Sequence, residues 1–343
     1  MRFPLKVALC ALAALAVLLL SVGVGSVSLG VGDIFAILLN KLLGAPLPEG
    51  LPATYVPILW TIRLPRVALA FVVGAMLSVS GTVMQSVLRN PLASSYTLGV
   101  SSGASVGAAA VLLTGFTLPV IGAYTLPLVG LICGLLAVVC AVAFAQRVDR
   151  GMQTNTIILA GMVFSLFINA LLTLLYAFAG EAIQRLINWQ MGSFSMKGWT
   201  EVGLLTPIAL VGILLLVRYS RELDMMTFGE SEAGAMGVET RRVKWLLLGL
   251  SAALTGSAVA FAGVIGFIDL IAPHVVRRLF GARHQRVIPL SALFGGAFTA
   301  LCDMAARTVV APLELPVGAV TALIGAPFFA YVYFGRRKRG GSI

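Results

Sequence analysis

Residues 120–145 read VIGAYTLPLVGLICGLLAVVCAVAFA, a run of 26 residues without a charged side chain. A helix needs about 20 consecutive apolar residues to cross the hydrocarbon core of a bilayer. This stretch is therefore long enough to span a membrane. Comparable runs recur along the chain, and only 37 of its 343 residues are charged (24 Lys and Arg, 13 Asp and Glu). The pattern predicts an all-α, polytopic membrane protein.

Ten stretches have the hydropathy and charge pattern of a transmembrane helix. They lie at about 5–25, 64–87, 93–114, 120–145, 155–179, 203–217, 245–262, 263–280, 288–302 and 317–335. No charged loop separates the seventh from the eighth, so their division stays open. The first is predicted to be a membrane anchor. A secretory signal is the alternative, with Arg2 and Lys6 as its basic start, but no small-residue cleavage site follows.

The Lys and Arg residues predict the orientation of the chain, because cytoplasmic loops carry an excess of both. If both termini are cytoplasmic, six cations fall outside: Lys41, Arg63, Arg66, Arg185, Lys197 and Arg307. The other 18 of the 24 fall inside: Arg2, Lys6, Arg89, Arg147, Arg150, Arg218, Arg221, Arg241, Arg242, Lys244, Arg277, Arg278, Arg283, Arg286, Arg336, Arg337, Lys338 and Arg339. Both termini are therefore predicted to be cytoplasmic. The net charge of +11 reflects this topology, and no nucleic-acid partner is predicted.

Several classes of site have no motif in the sequence. Cys10, Cys133, Cys140 and Cys302 fall in or near apolar stretches without CxxC or Cys/His spacing, which predicts neither a disulfide framework nor a metal site. No GxxxxGK motif followed by Ser or Thr occurs, so the chain has no phosphate-binding loop of its own. HExxH and GxSxG are also missing. The sequence predicts no cofactor and no enzyme, and uphill transport would draw on a partner or an ion gradient.

Asp269 is the only carboxylate inside a predicted span, and His274 follows in the same span. Ionisable residues inside a membrane are functional candidates by default. An ion-coupled secondary transporter is therefore an alternative, but it predicts several intramembrane carboxylates. A single acid with one nearby histidine is better explained by local hydrogen bonding than by ion coupling. No role is assigned to either residue.

The stretch where the second and third predicted spans meet reads NPLASSYTLGVSSGA, from Asn90 to Ala104. Its Pro, Ser and Gly residues would break a helix at membrane depth. Irregular backbone is tolerated there only when it is buried in protein or lines a cavity. The stretch therefore predicts a compact re-entrant turn that does not face lipid.

The inner polar stretch at 218–244 has the order of a helix–turn–helix. Glu230 and Glu232 fall in the first turn of a predicted helix, where the helix dipole favours anions. Gly237 suits the left-handed conformation that ends many helices. One face of this predicted helix is apolar and consists of Phe228, Ala235 and Met236. On the inner surface, such an element predicts a platform for a soluble partner.

These segments resemble the FecCD family, the permeases of ABC importers for iron chelates, haem and cobalamin. The matching blocks are RLPR at 63–66, NPLA at 90–93 with LGVSSGA at 98–104, GVIGFIDLIAPH at 263–274, ELPVG at 314–318 and GAP at 325–327. The Gly229-Glu230-x-x-Ala233-x-x-x-Gly237 pattern also resembles the coupling loop of ABC importer permeases. The resemblance covers about residues 60–335. One departure is Asp269, where the commoner family form has Gly.

The resemblance implies ten helices per subunit, with helices two to five and seven to ten as inverted repeats. It also implies a homodimer or pseudo-dimer with the pathway at its seam, two cytoplasmic ATP-binding subunits and an extracytoplasmic substrate-binding protein. The implied ATPase-coupling residues are Gly229, Glu230, Ala233 and Gly237. The family places the fifth helix near the seam, and Ser165 and Asn169 share one face of it, so both are pathway candidates. Hydrogen bonding to a neighbouring helix is the alternative for this pair.

Three arginines, Arg63, Arg66 and Arg307, lie on the predicted outer side, against the orientation bias of cations. Pairing with Asp303 or Glu314, or contact with lipid headgroups, would account for them. In the FecCD family the matching arginines dock carboxylates on the two lobes of the binding protein. The resemblance therefore implies that all three are docking residues.

The sequence is thus interpreted as a multi-pass permease subunit of the cytoplasmic (inner) membrane, with one transmembrane domain over 1–343 and a coupling loop at about 218–244. Membrane lipid is its remaining expected partner. The expected substrate is a ferric chelate, with a siderophore as first choice and haem or cobalamin as the alternative. Alternating access would be driven by the partner's ATP cycle. Neighbouring genes for an ATPase and a binding protein would separate this interpretation from an ion-coupled secondary transporter.

Overall fold

The computed structural model describes residues 3–25, 27, 29–149 and 151–334, and within these ranges no β-strand occurs. The α-helices are α1 (Phe3–Gly23), α2 (Val31–Leu43), α3 (Tyr55–Pro57), α4 (Leu64–Val87), α5 (Val100–Thr114), α6 (Thr125–Val148), α7 (Thr154–Ala177), α8 (Ile183–Gln190), α9 (Trp199–Arg218), α10 (Ser220–Met226), α11 (Glu230–Ala235), α12 (Thr240–Ala262), α13 (Ile268–Phe280), α14 (His284–Thr308) and α15 (Val317–Phe334). Short π- and 3₁₀-helical turns lie between some of them. The predicted all-α class is confirmed.

Seven helical stretches in the described part of the chain are long and apolar enough to cross a membrane. They contain α1, α4, α6, α7, α9, α12 and α14, and each coincides with a predicted span. The chain is therefore a multi-pass membrane protein. The third predicted span is reduced to the 15 residues of α5, and the eighth to the 13 residues of α13, because irregular backbone precedes each helix. The count of ten stays a prediction.

Part of the predicted orientation depends on residues outside the described ranges. Arg2, Arg150 and the cations at 336–339 lie there. The cytoplasmic placement of both termini therefore stays a prediction. The inverted repeats implied by the family resemblance stay one as well.

Helix α4 lies at the centre of the assembly, with most of its side chains buried. It packs against α12, α13 and α14. Small residues permit these contacts, because a Cβ at Gly74 would overlap Thr299 of α14 and a Cβ at Gly81 would overlap the backbone of Asp269 in α13. Helices in lipid associate closely where such residues let the backbones approach. The second predicted span is therefore a core helix rather than a lipid-facing one.

The segment before α5 forms the compact turn that the sequence predicts. The Ser94 hydroxyl accepts a hydrogen bond from the Tyr96 N–H at 3.1 Å, at the start of a 3₁₀ turn over Ser95–Leu98. Gly99 then precedes α5 with φ 93°, a conformation that glycine adopts without steric cost. The turn contacts α7 and α12, so its backbone lies within the protein.

A second irregular segment, residues 263–267, separates α12 from α13. Gly263 has φ 76° and Phe267 has φ 67°. A Cβ at Gly263 would overlap the Trp189 carbonyl oxygen, so this site needs glycine for space as well as for conformation. The Tyr96 hydroxyl donates to the Ile265 carbonyl at 2.9 Å. The two irregular segments thus meet inside the protein, where their polar groups bond each other.

Candidate functional site

The three arginines predicted to lie on the outer side come together at one end of the assembly. Arg66, in the first turn of α4, donates to both carboxylate oxygens of Asp303 at 2.9–3.1 Å and to Glu314 at 2.8 Å. Arg307, in the last turn of α14, donates to the Ser21 carbonyl, and its Nε lies 3.7 Å from Asp303 Oδ2. We call Arg63, Arg66, Asp303, Arg307 and Glu314 the arginine cluster.

Arg63 binds carbonyl oxygens instead of a carboxylate in the part of the chain that the structure describes. Its guanidinium donates to Val22 at 3.1 Å, to Gly23 at 2.9 Å and to Val27. The first two carbonyls belong to the last turn of α1, where the helix dipole favours a cation. Gly25 leaves room for this contact, since a Cβ there would lie 2.9 Å from Arg63 Cζ. Arg63 thereby ties the end of α1 to the start of α4.

The cluster is largely buried, and its charges do not cancel. Arg63 is 4% exposed and Arg66 is 7% exposed, whereas the side chain of Glu314 is 40% exposed. Hydrogen bonding from Arg66 lowers the pKa of Glu314, which lies in the loop between α14 and α15 and therefore stays ionised at neutral pH. Three guanidinium groups face two carboxylates, which leaves one excess positive charge. Pairing with Asp303 and Glu314, the alternative raised from the sequence, is what the structure shows for Arg66. The docking role stays a prediction.

The inner polar stretch forms the predicted helix–turn–helix. Gly229, with φ 137°, precedes α11, and Gly237, with φ 89°, follows it. The Gly237 N–H donates to the Gly234 carbonyl and the Val238 N–H to the Ala233 carbonyl, each at 3.0 Å. These two bonds are those of a Schellman motif, which needs a left-handed residue at the position of Gly237. The predicted left-handed helix end is confirmed.

Helix α11 is held on one side and exposed on the other. Glu230 lies 2.5 Å from the Nζ of Lys244, a residue only 1% exposed, which also donates to the Met152 carbonyl at 2.7 Å. Ala233 is fully buried. Phe228, Ala235 and Met236 are exposed at or beside this helix, and we call these three residues the inner apolar patch. The loop is therefore anchored to the α6–α7 connection while it presents apolar side chains outward.

Ser165 and Asn169 line one open cleft of about 470 Å³ beside α7. The other residues of its wall are Tyr96, Thr97, Ser101, Ser102, Met162, Leu166 and Val264. The Ser165 hydroxyl lies 3.5 Å from the Thr97 carbonyl, the hydrogen bond raised as the alternative from the sequence. Sequence reasoning missed Tyr96 and Val264, although both lie inside the two irregular segments that the sequence marked.

Asp269, the buried carboxylate of α13, accepts a hydrogen bond from the Ser94 hydroxyl. This contact joins α13 to the turn before α5, and it agrees with the expectation of local hydrogen bonding. His274 lies 3.4 Å from the Pro91 carbonyl and packs against Phe329. Neither residue lines the cleft.

Comparison with known proteins adds to this geometry. The family model described as the FecCD transport family matches residues 12–334. An uncharacterised ABC transporter permease protein, YvrB of Bacillus subtilis, is 42% identical over 94% of this chain and 91% of its own length. The cobalamin import system permease protein BtuC of Halobacterium salinarum is 41% identical over 86% and 78%. A solved structure described as an inward-facing putative metal-chelate type ABC transporter has a TM-score of 0.84 and 30% identity, covering 97% of this chain and all of that one. Further relatives are named for hemin, Fe(3+)-citrate and molybdate.

Proposed function

Because this chain belongs to the FecCD transport family, whose members are membrane-spanning permease subunits of ABC importers, we propose that it imports a ferric chelate. A siderophore is the proposed form of that chelate. ATP hydrolysis in this family lies in separate partner subunits, so the chain itself is a transport subunit rather than an enzyme. We place it in the cytoplasmic (inner) membrane as a single domain over residues 1–343.

The observation that carries the substrate class is the neutral wall of the cleft. Its nine residues include hydroxyls, one amide and apolar side chains, but no carboxylate, imidazole, lysine or arginine. A bare metal ion would need carboxylate or imidazole ligands. An oxyanion such as molybdate binds most strongly to cationic donors such as Arg and Lys. A metal already wrapped in an organic ligand needs only hydroxyl and apolar contacts, which this wall offers.

Cobalamin is the second candidate, because a relative 41% identical to this chain is named for cobalamin import. Its metal is also enclosed in an organic ligand, so the neutral wall does not separate the two. Haem is a third member of the same class, through the hemin permease among the relatives.

The cleft is open along α7, which supports a second copy of this chain as the missing wall. Leu166, on the same helix as Ser165 and Asn169, is 71% exposed beside the cleft, and Phe167 is 62% exposed. We propose a homodimer with the cleft at its seam, so that alternating access opens Ser165 and Asn169 to either side in turn.

Two surfaces are proposed for the remaining partners. The inner apolar patch, carried by the coupling loop at about 218–244, would seat one of two ATP-binding subunits. Phe228 is 75% exposed, and exposed apolar patches mark surfaces that another protein covers. The arginine cluster would dock an extracytoplasmic binding protein, through the excess positive charge and through the partly exposed Glu314, which an incoming carboxylate could displace from Arg66.

The test is transport by the reconstituted importer, with its ATPase and binding protein, in vesicles. ATP-dependent uptake of a ferric siderophore, in preference to cobalamin, haem and molybdate offered at equal concentration, is expected. Uptake that ignores ATP and collapses when the proton gradient is dissipated would instead identify an ion-coupled secondary transporter. Preferred uptake of molybdate would contradict the argument from the neutral wall.

A further inference from the structure

The coupling loop and the cleft wall are joined by a continuous series of hydrogen bonds through the membrane domain. The series starts at Asp224 of α10, within the coupling loop. Asp224 Oδ1 accepts from the His284 backbone N–H at 3.1 Å and lies 2.6 Å from His284 Nδ1. His284 is 2% exposed and begins α14. The loop is therefore attached directly to the first residue of a membrane-spanning helix.

His284 also contacts α4. The Nδ1 atom of the ring faces the Asp224 carboxylate. The other ring nitrogen, Nε2, lies 2.6 Å from the Ser86 hydroxyl of α4. Both ring nitrogens are thus engaged, one on the coupling loop and one on the core helix. A shift of α10 that leaves the ring in place would deprive the buried His284 of a hydrogen-bond partner, which costs about 1–3 kcal/mol.

The series continues from Ser86 to the first turn of α13. Arg277 of α13 donates to Ser86 Oγ at 3.0 Å and to Gln85 Oε1 at 2.6 Å. The Gln85 amide donates to the Asp269 carbonyl at 3.2 Å. Gly81, one turn before Gln85, brings the two helices close at this point, because a side chain there would overlap Asp269. α4 and α13 are therefore locked together just where α13 begins.

The last links reach the cleft itself. The Asp269 carboxylate accepts from the Ser94 hydroxyl, and Ser94 Oγ accepts from the Tyr96 N–H at 3.1 Å. Tyr96 lines the cleft, and its hydroxyl donates to Ile265 at 2.9 Å, next to Val264 of the cleft wall. Each end of the series is thus a residue adjoining a proposed functional element, the ATPase platform at one end and the pathway wall at the other.

We propose that this series transmits movement of the coupling loop to the cleft, with His284 as its positioning residue. Its members in order are Asp224, His284, Ser86, Arg277, Gln85, Asp269, Ser94 and Tyr96. The inference rests on the proposed importer function and gives Asp269 a role, as the acceptor that ties the turn before α5 to α13. Lys244 anchors the same loop, but its bonds within the described residues are to Glu230 and Met152, so it holds the loop without joining the series.

Helix α4 offers a matched pair of variants for the test. Ser86 and Thr82 are both buried, and each hydroxyl donates to the carbonyl four residues before it, at 3.0 and 2.9 Å. Only the Ser86 side chain also contacts His284 and Arg277. Ser86→Ala therefore breaks the series, whereas Thr82→Val removes an equivalent hydroxyl outside it.

The readout is the labelling rate of Ser165→Cys by a water-soluble thiol reagent in the assembled importer, with and without ATP. In Ser86→Ala, the ratio of the labelling rate with ATP to the rate without ATP should come closer to one by a factor of about five or more. A factor of about five is the lower end of common coupling energies. Thr82→Val is expected to keep the ratio. Assembly with the ATPase, measured by size-exclusion chromatography, should be unchanged in both variants.

Two further variants keep the test decisive if Ser86→Ala folds poorly. His284→Asn keeps a donor toward Asp224 but no longer reaches Ser86, so it should hold the loop and still lose the ATP-dependent ratio. Gln85→Met combined with Ser86→Ala should lose no more than either change alone, because links in one series are not independent. Multiplicative losses would show that the two residues act separately.

The possible failures are distinguishable. If Ser165→Cys alone shows no ATP-dependent labelling in an importer that transports its chelate, both the cleft as pathway and this inference are wrong. If that ratio is present and survives in Ser86→Ala and His284→Asn, the inference is overturned while the proposed function stands.

Discussion

Replacement of Gly237 by valine should uncouple the permease from its ATPase without affecting membrane insertion. Gly237 has φ 89° and supplies one of the two Schellman hydrogen bonds that end α11. No atom lies within 4 Å of a Cβ built there, so the tertiary structure would accept the side chain. The cost is therefore conformational, about 1–2 kcal/mol for an L-residue held in the left-handed region, and β-branched residues tolerate it least.

That energy sets the size of the expected effect. Since 1.4 kcal/mol is a factor of ten, the ratio of native to non-native loop ends should fall roughly 5- to 30-fold. Apparent affinity for the ATPase falls with the fraction of native form, by up to the same factor, when only the native form binds. Co-purification of the ATPase and substrate-stimulated ATP hydrolysis measure it, in protein extracted at normal yield.

Gly234→Val is the matched control for this experiment. Gly234 lies in the same helix, has equally open space for a Cβ, and is not among the residues with positive φ. Valine there adds the same bulk without the backbone strain, and it favours the helix slightly over glycine. Equal losses in both variants would mean that bulk at the interface is responsible. Normal coupling in Gly237→Val would refute the conformational argument.

Three other outcomes are expected. Glu230→Lys should release the ATPase more completely than Gly237→Val, because it replaces the carboxylate 2.5 Å from Lys244 Nζ with a second cation; co-purification measures this. Cysteine at Ser165 or Asn169 should react with a water-soluble thiol reagent in at least one nucleotide state, since both line the cleft. Arg63→Glu or Arg307→Glu should weaken binding-protein association and uptake by tenfold or more, the scale expected when one partner of a close charge pair is reversed, while basal ATP hydrolysis persists.

Each of these outcomes has a control within the chain. Glu232→Lys reverses a charge in the same first turn of α11, but Glu232 has no cation partner among the described contacts. This variant should therefore lose less of the co-purifying ATPase than Glu230→Lys. Ser291→Cys is buried away from the cleft and should stay unlabelled. Arg185→Glu changes an exposed outer cation outside the arginine cluster and should bind normally.

The results that would contradict these expectations are equally specific. ATPase retained by Glu230→Lys would exclude the Lys244 anchor from coupling. Thiols at Ser165 and Asn169 that never react would remove α7 from the pathway. Binding-protein association unchanged across 50 to 500 mM salt, roughly a threefold change in Debye length, together with full uptake by both arginine variants, would exclude docking at the arginine cluster.

Features that depend on a few neighbouring residues were predictable from the sequence. Apolar runs predicted the membrane-spanning helices, because burial in lipid is a property of about 20 consecutive residues. Gly237 predicted the left-handed end of α11, and the residues at 90–104 predicted the compact turn, because both follow from local backbone preferences.

Contacts between distant residues were decided only by the tertiary structure. Arg66 and Asp303 are 237 positions apart, and Asp224 and His284 are 60 apart, so no spacing rule links either pair. The sequence placed Ser165 and Asn169 on one face of α7, yet the packing of α7 against the turn before α5 is what lines a cleft with them. Hydropathy and backbone preference are read along the chain, whereas the partner of a buried polar group depends on which helices pack together.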